Sequence, residues 1–96
     1  MILENIYRHE DFERIKSQQV YKNNSFHTML VKIKKDEVLK PHHATTDAFL
    51  LVAEGSIIFT IHEAATTLKK GDIISFKAFE MHSVQAVEDA ILLVIK

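Results

Sequence analysis

Six histidines carry most of the chemistry open to this chain of 96 residues, because it has no cysteine and therefore no thiolate nucleophile or thiolate metal ligand. Three of them stand at fixed distances from the only two glycines. His43, preceded by His42, lies twelve residues before Gly55, and His82 lies eleven after Gly71. Glycine punctuates the ends of strands, so each spacing ties an imidazole to a turn. Imidazole ligates divalent metals through either ring nitrogen. With Asp47, one histidine of the pair and His82 would form a two-histidine, one-carboxylate face suited to Fe(II), Mn(II), Ni(II) or Zn(II), with positions open to water or substrate.

Facing decides which of these groups can meet. Side chains alternate along a strand, so only one of His42 and His43 enters a shared pocket. Distance to Gly55 favours His43, whereas the position of Asp47 favours His42. His27 shares a face with Met29 and Val31, and Leu50, Val52, Val84 and Ala86 complete the expected wall. Each polar group also has a plain structural alternative: His82 bonded to backbone at a barrel mouth, Asp47 capping a loop, His42 and His43 solvated, His27 satisfied at a rim. His62, at a hairpin tip, and His9 are expected in solvent.

The elements that must position these groups read as strands. Residues 26–33 alternate, and Asn23-Asn24 before them suits a tight turn. Further turns fall at residues 34–37, Glu54-Gly55, His62-Glu63, residues 69–72 and Glu88-Asp89, marking about eight or nine short strands. Residues 10–15 read as one helical turn or as irregular structure. Lys32, Lys34, Lys35 and Lys40 read as a solvated face and turn, interrupted by Asp36 and Glu37. Residues 48–53 and 90–95 are apolar on both faces, so their outer side needs a cover. Residues 1–25 or a second copy would supply it, and a homodimer is expected.

A formal net charge of -1 supplies no field for nucleic acid. The apolar runs are far shorter than the roughly 20 residues of a membrane helix. The first ten residues lack the features of a secretory signal, which makes the cytoplasm the expected compartment. There is no G-x-S-x-G elbow or glycine-rich phosphate loop, and His62-Glu63 is followed by Ala64-Ala65-Thr66, without the second zincin histidine.

Over about residues 26–95 the chain resembles the cupin superfamily. The cupin pattern G-x5-PxG-xx-H-xxx-N is matched in spacing by Gly71 and His82, with Lys77, Phe79 and Ala86 in place of its proline, glycine and asparagine. In the pattern G-x5-HxH-x(3,4)-E-x6-G, counting back from Gly55 puts the glutamate on Ala48, the second histidine on His43 and the first on Pro41. A shift of one residue pairs His42 with Asp47 instead, at the cost of an extra residue before Gly55, as in a β-bulge.

The resemblance implies an all-β, single-domain double-stranded β-helix, or jelly-roll barrel, over residues 26–96, with residues 1–25 packing on it or on a partner. It implies a divalent metal held by His82 with His42 or His43, and a small polar ligand in the barrel. Loss of the glutamate and of one histidine points to an alternative, a metal-free binding or sensing module. A third reading is a purely structural dimerisation domain.

Overall fold

Alternating apolar and polar residues build an antiparallel pair at the start of the fold, β1 (Ile15–Lys22) and β2 (His27–Ile33). Between them the Asn23 side chain accepts the N–H groups of Ser25 and Phe26, at 2.8 and 2.9 Å, and closes the turn. The computed structural model describes residues 1–96. The remaining strands are β3 (Val38–His42), β4 (Ala48–Glu54), β5 (Ser56–Ile61), β6 (Ala64–Lys69), β7 (Ile73–Phe76), β8 (His82–Ala86) and β9 (Ala90–Ile95). There is no helix, so none crosses a membrane. His62 and Glu63, with φ of 50° and 63°, form the two-residue turn between β5 and β6.

Two sheets result, one ordered β1-β2-β9-β4-β7 and the other β3-β8-β5-β6. Their inner faces enclose the core, with Ile33, Val52 and Leu92 sealed against Ile57 and Phe59. Two bulges break the alternation. In β3, Leu39 pairs with Val84 and His42 with His82, so β3 carries one residue more than β8. In β4, Val52 pairs with Leu92 and Glu54 with Ile91, which leaves Ala53 as the extra residue just before Gly55.

Of the two alternatives for residues 10–15, the irregular one holds up to Arg14, and β1 begins at Ile15. One expectation nearby fails. Lys32 is not solvated: it faces outward from β2 yet is 6% exposed, because the segment before β1 lies over it. Its Nζ donates to the Arg8 carbonyl at 3.0 Å and pairs with Glu10 at 3.0 Å, and Glu10 also holds Lys16. These two ammonium groups, Lys16 foremost, push the Glu10 carboxyl down to about 2. The Tyr7 hydroxyl donates to the Ala53 carbonyl at 2.8 Å. Outward-facing Leu30 is 2% exposed, whereas Phe49 and Ile73, farther across the same sheet, remain 43% and 65% exposed.

Candidate functional site

The β3 bulge decides which imidazole reaches the interior. Uninterrupted alternation from Leu39 would turn Pro41 and His43 inward, but the extra residue brings His42 opposite His82. Their ring centroids are 4.3 Å apart at an interplanar angle of 62°. His82 is 5% exposed and packs beside both Phe59 and Phe76, with centroids at 5.5 and 4.2 Å. His42 stands at the mouth, exposed on one side.

Both rings are oriented by backbone two residues upstream. His42 Nδ1 lies 2.9 Å from the Lys40 carbonyl and His82 Nδ1 lies 3.0 Å from the Glu80 carbonyl. A carbonyl only accepts, so each Nδ1 donates, and in the neutral ring the lone pair is on Nε2. No buried side-chain nitrogen or oxygen lacks a partner, so the unbonded Nε2 of His82 is not sealed away. Burial, above all, lowers the proton affinity of His82. The nearby His42 and Lys96 charges act in the same direction, against the Glu80 carbonyl.

The two rings share a cavity of about 160 Å³, nine of whose thirteen lining residues are apolar, including Met29, Val31, Leu39, Leu50 and Val84. The other expected residues lie elsewhere. His43 is exposed, with its ring against Phe79 at 5.7 Å, because the bulge reverses its facing. Asp47 is one residue out of phase with the inward positions of β4, and its carboxylate accepts the Ala78 N–H at 2.9 Å. His27 sits at the rim beyond Met29, with Nδ1 3.4 Å from Gln19 Oε1, and does not line the cavity. Val52 lies deeper, fully buried in the core.

A family model for the cupin domain matches residues 29–96. The chain belongs to the cupin family. Among solved structures this cupin is similar to an RmlC-like cupin protein from Desulfovibrio desulfuricans, at 22% identity and a TM-score of 0.88, covering 99% of this chain and 94% of that one. It is also similar to KdgF from a Halomonas species, at 21% identity and a TM-score of 0.84, covering 99% and 90%. A third is a cupin superfamily protein from Desulfitobacterium hafniense, at 15% identity and a TM-score of 0.84, covering 93% and 82%. At these identities the likeness is one of fold. Among curated proteins, none matches.

The metal that cupins commonly hold has too few donors here. The glutamate position counted from Gly55 is Ala48, buried and apolar, and Lys40 and Pro41 occupy the bulge before His42. No histidine, aspartate or glutamate joins the two imidazoles to make a group of three. A catalytic zinc site takes three protein ligands and a structural one four, so this donor set does not fit a metal held by the cupin alone.

Seven lining residues escaped the sequence reading, among them Phe76, Lys96 and Ser17. Phe76 and Lys96 both follow simple alternation, from Ile74 and from Ala90, Leu92 and Val94, and that signal was available. Ser17 lies on β1, which begins before the stretch the alternation marks as strand.

Proposed function

We propose that this cupin binds a small, mostly apolar molecule without a resident metal, and that the Nε2 atoms of His42 and His82 accept hydrogen bonds from the ligand's polar end. One observation carries the reading: two imidazoles, each with Nδ1 committed to a backbone carbonyl, stand together at the cavity with no third donor. The apolar wall and a volume well under the roughly 300 Å³ at which drug-sized pockets begin support a compact ligand. No nucleophile with an adjacent base lines the cavity, so binding or sensing is favoured over catalysis.

Elemental analysis of untagged protein, paired with thermal shifts against small polar and amphipathic compounds in a chelator, tests this. Below about a tenth of an equivalent of metal is expected, with ligand-induced stabilisation that survives the chelator. Stoichiometric metal whose removal abolishes ligand binding would overturn it.

We also propose that two copies pair through the outer face of the five-stranded sheet. The exposed Phe49 and Ile73, with half-buried Leu51, Leu93 and Ile95 on the same sheet, support this, since the N-terminal segment leaves Phe49 and Ile73 uncovered. Light scattering of wild type against Phe49→Glu checks it, and a monomeric wild type would rule it out.

A further inference from the structure

We propose that the molecule this cavity takes is a small hydroxy acid, with Lys96 receiving the carboxylate and the single hydroxyl hydrogen shared between the Nε2 atoms of His42 and His82 in a three-centre bond. The proposal rests on the metal-free reading above and adds the ligand's chemical class.

Lys96 reaches the site through strand register. Its N–H donates to the His27 carbonyl at 3.0 Å and its carbonyl accepts the His27 N–H at 2.7 Å, which extends the β2–β9 ladder by one pair beyond Thr28 and Ile95. Ala90, Leu92 and Val94 face the interior at alternate positions, and Lys96 is the next in that series. It lines the same cavity as both imidazoles and is only partly exposed.

No aspartate or glutamate pairs with this ammonium. The cavity has no aspartate or glutamate in its wall, and Lys96 takes part in none of the ion pairs. Lys32, the one fully buried lysine, has Glu10 as its partner. A cation at the edge of an apolar cavity favours an anionic occupant. The two Nε2 lone pairs favour a hydroxyl hydrogen, and the aliphatic wall favours a short hydrocarbon body. A carboxylate alone would leave the lone pairs unmet, and a neutral alcohol would leave the charge unmet. A hydroxy acid meets all three.

Calorimetry at neutral pH with α-hydroxyisovalerate, isovalerate and the matching diol, each with and without EDTA, tests the assignment on wild type and on Lys96→Gln. The hydroxy acid is expected to bind at least about tenfold more tightly than either truncated probe, equivalent to about 1.4 kcal/mol. Lys96→Gln should bring it down to the level of the diol and leave the diol itself within about twofold, as the hydrogen bonds to imidazole are untouched. Lys96→Arg, which keeps the charge, should recover part of the loss. A diol that binds as well as the acid, an acid indifferent to Lys96→Gln, or no binding by any probe at about 10 mM would overturn the proposal. Failure of the metal-free reading looks different: EDTA would abolish binding of every probe, and added zinc would restore it.

Discussion

His42 stands opposite His82 because β3 carries one residue more than β8 between Leu39 and His42. The bulge both selects the imidazole and places the Lys40 carbonyl 2.9 Å from its Nδ1. His42→Ala and His43→Ala therefore have unequal consequences although the residues are neighbours. Replacing His42 is expected to weaken binding of any cavity ligand about tenfold, the worth of one good hydrogen bond. Replacing His43, whose ring lies on Phe79, should change it by less than about twofold. Titration calorimetry on the two variants decides, and equal losses would contradict the assigned facing.

Burial makes His82 release its proton more readily in the fold than in the unfolded chain. The unfolded chain, titrating near the ordinary value of 6.5, binds the proton first as pH falls. The stability tied to the neutral ring is thus complete above that value and is lost as pH drops from there through the lower folded value. Melting temperatures between pH 7.5 and 5 should decline more steeply for wild type than for His82→Gln. Parallel curves would show that the ring does not control this window.

Glu10 fastens the N-terminal segment to the outer sheet through Lys32 and Lys16. Its carboxyl is held at about 2, below the ordinary 4.5, so its contribution is present above 4.5 and fades as pH falls toward 2. Amide exchange should show the Lys32 and Ile33 region losing protection in that acid window while the β5–β8 ladder keeps it. Glu10→Gln should cause the same selective loss at neutral pH, since buried Lys32 is left without its anion.

Gly55 turns β4 into β5 with φ of +77°, and a Cβ built there would lie 2.1 Å from the Asp89 carbonyl oxygen. That oxygen belongs to backbone and cannot swing aside. Gly55→Ala is expected to cost about 2–3 kcal/mol, from the left-handed conformation and the displaced turn together. Gly71 has φ of +94° but open space around it. Gly71→Ala should cost about 1–2 kcal/mol, and chemical denaturation of both variants gives the ranking.

Much of the architecture was legible from local signals. Asn23-Asn24, Glu54-Gly55, His62-Glu63 and Gly71 mark turns that form, and the alternation of residues 26–33 predicts the facing of Met29, Val31 and Ile33. The spacing from Gly71 to His82 points to the imidazole at the centre of the cavity. The choice between His42 and His43 was not legible in the same way. A count back from Gly55 assumes unbroken alternation, but it crosses the extra residue at Ala53 and a loop before it meets the bulge in β3.

The amino-acid order by itself determined an all-β chain of about eight or nine strands, because strand periodicity and turn preference act over a few neighbouring residues, and the family resemblance, through glycine-to-histidine spacing. Tertiary structure alone decided that His42 and not His43 meets His82, that Asp47 serves a loop, and that Lys32 is buried under Glu10 while Lys96 lines the cavity without an anionic partner. These outcomes depend on which strand pairs with which and in what register. A bulge shifts facing by one residue, and the pairing that creates it joins positions some forty residues apart, as His42 and His82 do.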